Sequence, residues 1–489
     1  MAPEAGVPRA GEGVIPMTAT SADRAAGVLL GLAAGDALGS GYEGDYPPPD
    51  EPIRMKGGGY GPWEPGEWTD DTQMATCIAE SAAKGRLDPV EVARCFLDWY
   101  HDDPPDVGNQ TAGALSRAEF PEDLAGAADD YHRIHPHAAG NGSLMRTGPV
   151  ALAYLGKNGR IAAAAREISN LTHAHPLCGD ACVLWSLAVD RAVREAYFEL
   201  EAGLEWLPPE RRDRWADLIR EAAAEPPSGF KPNGYVVTAL QAAWSAITHT
   251  PVPPEEPCRH LQDTLVAAVR IGHDTDTVAA IAGTLLGARW GASAVPLQWK
   301  RMLHGWPGYE ARDLVRLAVL AARKGQPDSS GWPSAPDLRA YYAANNPAKP
   351  KAVPLPSDPG TILGNVHAAP EADADVIVSL CRMGSKALRP QGRHVDVLLI
   401  DDDAPEANPN LGFILRDTAD AIAAWRQDGE TVFVHCVHAQ SRTPTIGAAY
   451  LIRRFGVGVD AALAEVQAAL GVRVWNSDFT AVLGRMRRG

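Results

Sequence analysis

No two cysteines in the 489-residue chain are spaced CxxC, and the seven present are an odd number. That argues against a disulfide framework or a structural zinc site, and for core cysteines in a reducing, cytoplasmic compartment. No stretch approaches the ~18 consecutive apolar residues of a membrane span, so a non-membrane protein is expected. The first twenty residues, rich in Pro, Gly and Ala, lack the charged start and apolar stretch of a secretory signal and read as a flexible tail over 1–20. Cationic excess is missing too: 45 Lys and Arg stand against 61 Asp and Glu, a net charge of −16. Broad binding to nucleic-acid backbones is thereby disfavoured, although a local cationic pocket for a phosphate group is compatible with an acidic protein. A long polar low-complexity tract is also absent, and the length implies two or three folded domains.

From Ser21 to about Gly325 apolar residues recur at helical spacing, in 25–39, 74–84, 161–170, 179–197, 211–224, 234–248, 261–270, 278–289 and 311–323, without convincing alternating strands. An all-α domain over 21–325 is predicted. Composition then shifts to Gly, Pro, Ser, Asp and Asn over 326–356, a linker interrupted by one short helical piece. In 357–489 the β-branched runs "ADVIVSL" (374–380), "VDVLLI" (395–400) and "TVFVH" (431–435) are separated by helical stretches 411–427, 444–454 and 459–470. This alternation predicts a smaller α/β domain with a largely parallel sheet, making the chain a multidomain protein.

"GHDTDTVAAIAGTLLGA" (272–288) sets Asp274 and Asp276 among Thr275 and Thr277 at the start of an almost uncharged helix, and "EWTDDTQMATCIAESAA" (67–83) repeats the arrangement with Thr69, Asp70, Asp71 and Thr72. An Asp or Thr at a helix start ordinarily caps it, contributing about 0.5–2 kcal/mol. One cap needs one oxygen, however, and converging acids without a cation are costly. Carboxylates and threonine hydroxyls are hard ligands suited to Mg²⁺, Mn²⁺ or Ca²⁺. His273 beside the motif reads as structural. Asp36 and Glu43 lie in the glycine-punctuated "GLAAGDALGSGYEGDY" (31–46), where Asp36 reads as a cap or tether of backbone in a Gly-rich bend. Asn141, Gly142 and Ser143 form a turn ahead of a helix whose amides suit a phosphate or sugar. His173 and His175 precede another helix, a place where a histidine is more often structural than catalytic.

Together "GLAAGDALGSGYE", "WTDDTQMA", "DVGNQTAGAL", "GNGSLMR", "LTHAHP" and "GHDTDTVAAIAGTLLGA" resemble the ADP-ribosylglycohydrolase family, in the family's order and over nearly all of 22–323. The resemblance implies an all-α fold with two divalent cations, Mg²⁺ or Mn²⁺, at the bottom of an ADP-ribose cleft. It further implies that Thr69, Asp70 and Asp71 hold one ion, Asp274 and Thr277 the other, and that Asp276 bridges them. Glu43 would stand beside the ions as an acid linked to catalysis, with Asp106 a second acid at the reacting ribose and Asn109 near it. Asn141, Gly142, Ser143 and Met145 would line the diphosphate and distal ribose, and His173 would contact the same part of the ligand. Cations holding the ribose hydroxyls, with carboxylates facing an oxocarbenium-like centre, suit cleavage of a glycosidic bond; either Glu43 or Asp106 would take the proton of the attacking water.

In "TVFVHCVHAQSRTPTIGAAYLIRR" (431–454) a strand leads through Cys436 into a loop, with Arg442 and Thr443 following and Pro444 starting a helix. Such a loop points amides inward at a helix N-terminus, favours the thiolate and lets Arg442 grip two phosphate oxygens. The motif resembles HCxxxxxR[ST] of the cysteine-dependent protein phosphatases, and "TILGNVHAA", "VIVSLCR" and "LLIDDDAPEAN" extend the resemblance to dual-specificity phosphatases over about 358–485. That implies Cys436 as nucleophile, Arg442 as phosphate ligand, Asp403 as general acid with Asp402 as runner-up, and Thr443 assisting release of Cys436. Ala439 occupies a loop position where the family usually has Gly, which puts loop geometry in question.

The expected function is a bifunctional hydrolase that releases ADP-ribose from a protein or small-molecule acceptor and cleaves phosphate monoesters. The alternatives are an ADP-ribosyl hydrolase carrying a phosphate-binding module without turnover, and a non-catalytic ADP-ribose reader. Arginine, serine, an ADP-ribosylated nucleic acid and a metabolite all stay open as acceptors.

Overall fold

The computed structural model describes residues 17–390 and 392–486, so residues 1–16 of the expected tail lie outside the described residues. The principal helices of the first part are α1 (Ala19–Gly39), α2 (Asp70–Ala83), α3 (Pro89–His101), α4 (Pro176–Glu195), α5 (Thr275–Trp290) and α6 (Ala311–Ala322). Thr18 caps α1, its Oγ1 accepting from the Ser21 amide at 3.1 Å, so the helix starts two residues inside the expected tail. Most helices likewise start a few residues earlier than their apolar pattern, because the first turn is polar and supplies caps. The helix α3 escaped the periodicity reading, yet Asp88 caps it and Pro89 opens it. Cys77 on α2 and Cys95 on α3 form a disulfide, a correction to the expectation from cysteine spacing. Eighteen residues separate them, and only the packing of the two helices brings them together.

α1 and α5 lie along each other at the centre, buried on nearly every side from Ala25 and from Thr275 onward, which is why neither carries a one-sided apolar stripe. Gly27, Gly31, Gly35 and Gly39 recur every four residues and so share one face of α1. A Cβ at Gly31 would stand 2.3 Å from the Gly283 carbonyl oxygen, one at Gly35 2.1 Å from that of Ala279, and one at Gly39 2.5 Å from Asp276 Cα. The two backbones therefore touch directly.

The second part holds a five-stranded sheet of β1 (Ala352–Leu355), β2 (Asp358–Asn365), β3 (Val376–Ser379), β4 (His394–Asp396) and β5 (Val432–Cys436), in spatial order β1-β2-β5-β3-β4. Only β1 is antiparallel to its neighbour. β5 is central, pairing Cys436 with Asn365 and His435 with Ser379. The β1–β2 pair was not evident from alternation, and β4 stops at Asp396 where the apolar run to Ile400 suggested a longer strand. Helices α7 (Leu411–Gln427) and α8 (Arg442–Phe455) cover the sheet; Pro444 is the third residue of α8 rather than its first.

The two parts are in direct contact. Asn410 Nδ2 donates to the Trp290 carbonyl at 2.6 Å and to Ser293 Oγ at 2.8 Å, and Arg416 pairs with Glu256 at 2.6 Å. Between them, 326–356 contains the helix Arg339–Asn345, and Trp332 receives the Arg382 guanidinium 4.3 Å above its ring. Among the described residues no helix is long and apolar enough to cross a membrane.

Candidate active sites

The starts of α2 and α5 converge with the end of α1. One ligand atom each of Asp36, Asp71 and Asp276 lies within 4.8 Å of the others, and the same holds for Glu43, Asp274 and Asp276. Asp276 belongs to both groups. Thr277 Oγ1 donates to Asp71 Oδ2 at 3.3 Å, linking the two helix starts.

Asp36 is the organiser that the sequence reading undervalued. Its oxygens accept from the Thr69 amide (3.0 Å), the Thr69 hydroxyl (2.9 Å), the Thr72 amide (3.0 Å) and the Thr72 hydroxyl (2.6 Å). It thus caps α2 from another helix, and Thr69, expected on a metal ion, donates its hydroxyl proton to Asp36. Asp274 is held by two asparagines: its amide donates to Asn233 Oδ1 at 3.1 Å, and Asn141 Nδ2 donates to its Oδ2 at 2.8 Å. Asn233, in "KPNGY", was not singled out by sequence.

Charge is crowded in this cluster. Burial, then the carboxylates around it, pushes Glu43 up to about 9 and Asp70 up to about 8; burial pushes Asp36 up to about 6 against its four hydrogen bonds. Asp71 is raised well above the ordinary carboxylate range by burial and then by Asp36 and Asp70, Asp276 by burial and then by Glu43 and Asp71, and Asp274 is raised by burial. Asp71 Oδ1 and Asp276 Oδ1 are buried without any hydrogen-bond donor. Hard, unpaired, mutually repelling oxygens are the donor set that a divalent cation needs, so the residues present fit such an ion.

The glycine-bearing turn over 140–146 adjoins the cluster. Arg146 has no exposed surface; it donates to Thr172 Oγ1 at 2.5 Å, and that hydroxyl donates to His173 Nδ1 at 2.7 Å. A guanidinium cannot accept, so the remaining His173 proton is on Nε2, the atom 3.1 Å from the position a Cβ at Gly142 would take. Burial and Arg146 keep this imidazole neutral. Ser143 and Met145, expected to line the ligand, have inward side chains: Ser143 Oγ accepts from Ser169 Oγ at 2.9 Å, and Met145 is 3% exposed in the core. Their side chains face inward because the turn leads straight into a buried helix, Gly148–Ala153. Asp106 is half-buried and near enough to raise Glu43 and Asp70, and Asn109 opens the helix Asn109–Leu115 from an exposed position.

The second site lies at the end of β5. Cys436 is the last strand residue, 1% exposed, and α8 starts at Arg442. Ala439 in the intervening loop has φ +57°, the left-handed conformation that glycine adopts freely. Arg442 NH1 donates to the carbonyls of Leu380 (2.7 Å) and Leu399 (3.1 Å), and its Nε is 3.5 Å from Asp401. Asp401 is thus the acid paired with Arg442, whereas Asp403 and Asp402, expected as general acid and runner-up, make no ion pair with that arginine. Asp403 is exposed, and Asp402 Oδ1 accepts from the Ala404 amide at 2.9 Å. Thr443 Oγ1 donates to the Gly364 carbonyl at 3.2 Å, tying α8 to β2.

Comparison with known proteins agrees with both halves. Residues 17–329 match the family model for ADP-ribosylglycohydrolase, and 386–488 match that for the dual specificity phosphatase catalytic domain. The chain is 33% identical over 292 residues to "ADP-ribosylarginine hydrolase Tri1" of Pseudomonas putida, covering 57% of this chain and 73% of the relative. It is 32% identical over 285 residues to "ADP-ribosyl-[dinitrogen reductase] glycohydrolase" of Rhodospirillum rubrum, covering 57% and 89%. A solved structure described as "ADP-ribosylglycohydrolase-related protein complex" superposes with TM-score 0.50 at 32% identity over 63% of this chain and 99% of that one. The chain thus belongs to the ADP-ribosylglycohydrolase family and carries a dual-specificity phosphatase domain after its glycohydrolase domain.

Proposed function

We propose that the chain is a bifunctional hydrolase: a divalent-cation-dependent ADP-ribosyl hydrolase joined to a cysteine-dependent phosphatase. The observation that carries the first activity is the pair of carboxylate groups sharing Asp276. Asp70, Asp71, Asp274, Asp276 and Thr277 would hold two cations, Mg²⁺ or Mn²⁺, with Asp36 and Asn141 orienting them from behind. Bound there, the cations would fix ribose hydroxyls and acidify a water. His173 would offer its Nε2–H to the diphosphate side of the ligand, and Glu43 or Asp106 would take the water's proton as positive charge grows at the ribose C1″.

An arginine-linked ADP-ribose is the acceptor class we favour, on the strength of the similarity to hydrolases named for that linkage. A panel of defined ADP-ribosyl linkages, with released ADP-ribose measured in Mg²⁺, Mn²⁺ and chelator, tests this. Release from the arginine linkage only in the presence of a cation is expected; equal release in chelator would remove the two-cation assignment.

For the phosphatase, Cys436 attacks phosphorus, Arg442 binds the phosphoryl oxygens after leaving its two carbonyls, and an acid of the 401–403 loop protonates the leaving oxygen. Turnover of a generic aryl phosphate in the wild-type chain that is lost in Cys436→Ser is the expected result. The strained Ala439 and the engaged Arg442 favour a second reading, a phosphate-binding module without turnover. Ala439→Gly separates the two: removing about 1 kcal/mol of left-handed strain should raise both the melting temperature and aryl phosphate turnover. A chain that binds phosphate yet turns over nothing, with Ala439→Gly equally silent, is the module.

A further inference from the structure

A buried polar contact joins the two domains close to the phosphatase nucleophile. Arg312 on α6, 9% exposed, reaches the edge of the sheet, where its NH1 is 2.9 Å from His394 Nδ1 and its NH2 is 3.0 Å from Asp396 Oδ2. His394 Nε2 is 2.8 Å from Ser379 Oγ, and Ser379 Oγ is 2.7 Å from His435 Nε2. Ser379 and His435 have no exposed surface, and His435 directly precedes Cys436.

Chemistry fixes the direction of every bond. A guanidinium only donates, and the Leu388 amide also donates to His394 Nδ1 at 3.0 Å. The His394 proton is therefore on Nε2 and goes to Ser379 Oγ, whose own proton goes to His435 Nε2. His435 keeps its proton on Nδ1, which has no side-chain acceptor and has the Cys436 main chain as its neighbour. Burial holds both rings neutral, His394 pushed down to about 4 and His435 to about 3, so each has a single N–H to give.

Arg312 has a second effect on the same ring. Asp396 Oδ1 stands 3.6 Å from His394 Nε2 and has no hydrogen-bond partner, so a freed Asp396 would compete with Ser379 for the Nε2 proton. The ion pair through Oδ2 holds that carboxylate away. The other charged groups facing these rings are cations, Arg389 toward His394 and Arg442 toward His435.

We propose that Arg312 of the glycohydrolase domain is a positioning residue for the cysteine chemistry of the phosphatase domain, fixing through His394, Asp396 and Ser379 the N–H that His435 presents beside Cys436. The functional meaning rests on the phosphatase reading above. It follows that the phosphatase loop is fully arranged only while the two domains are docked.

The test uses the full chain and follows iodoacetate alkylation of Cys436 against pH, subtracting the Cys436→Ser background, beside aryl phosphate turnover and ADP-ribose release. Arg312→Met should slow alkylation at neutral pH by roughly tenfold and move its midpoint upward, because the thiolate loses a donor-oriented environment. Ser379→Ala, which leaves the domain contact intact, should do the same. Arg312→Lys, still a donor and a cation, should stay near wild type, and Arg312→Met/Asp396→Asn should recover most of the rate because the competing carboxylate is gone. ADP-ribose release should be unchanged throughout. An unshifted midpoint in Arg312→Met or Ser379→Ala overturns the proposal, as does a slowed Arg312→Met that Asp396→Asn fails to rescue, since Arg312 would then be an interface anchor alone. Wild-type chain without aryl phosphate turnover sinks the phosphatase reading instead, while the alkylation profile still reports on the hydrogen-bond chain.

Discussion

Asp276→Asn is expected to lower ADP-ribose release on the order of 10²–10³-fold or beyond, and to weaken divalent-cation binding, with phosphatase turnover unchanged. Asp276 is the one carboxylate common to both acidic groups, so its loss removes charge from both at once. Its Oδ1 has no donor in the protein and therefore no structural bond to lose, and an amide of the same shape keeps the start of α5 intact. The effect should thus appear in chemistry and ion affinity more than in folding. Calorimetric titration with Mn²⁺ and an ADP-ribose release assay on the same preparation check it. Full glycohydrolase activity in the variant would show that the shared ligand lies elsewhere, and a collapse of aryl phosphate turnover would show that the variant is misfolded.

Removing the cations should make the stability of the chain depend steeply on pH. Glu43, Asp70 and Asp36 have folded-state values of about 9, 8 and 6, against ordinary values of 4.5 for Glu and 3.8 for Asp. A carboxyl raised in the folded state binds a proton there that the unfolded chain has already lost. Its contribution is present below the ordinary value and is lost as pH climbs through the folded one. In chelator the melting temperature should therefore fall between about pH 5 and pH 9. A cation replaces those protons and binds the folded state alone, so saturating Mg²⁺ or Mn²⁺ should flatten the slope and stabilise most at high pH. Thermal unfolding in chelator and in excess cation at pH 6 and pH 9 measures this directly. A metal-free chain as stable at pH 9 as at pH 6 would mean that these carboxylates do not repel one another.

Doubling made the acidic cluster legible: two acids at one helix start exceed what capping requires, and the same excess recurs about 200 residues away. Roles that depend on a third element were not legible. Nothing local to Asp36 shows that it caps α2, since Thr69 and Thr72 are 33 and 36 residues distant. Asn233 holds Asp274 only because its loop folds over α5, and Ser143 and Met145 turn inward for reasons set by the helix that follows. Counting residues back from Cys436 found the acidic loop, but which of its three successive aspartates pairs with Arg442 depends on how the loop is folded. The reading of α3 failed for a different reason. Its cap and apolar spacing, with Val92, Ala93, Phe96 and Leu97 buried, were present in the sequence, but four charged or histidine residues among its thirteen masked the pattern.

The glycines of α1 also set the spacing of the carboxylates. α1 delivers Asp36 and α5 delivers Asp276, and Gly39 rests on the Asp276 backbone while Thr275 Oγ1 donates to the Gly39 carbonyl at 2.9 Å. The gap between the two helices is thus closed to its minimum at the very turn that carries the carboxylates. With no side chain in the seam there is nothing to compress or repack, so the two helices act as a calliper of fixed opening. Under the two-cation proposal, selectivity among cations of similar charge and different radius would rest on residues that never touch the ion.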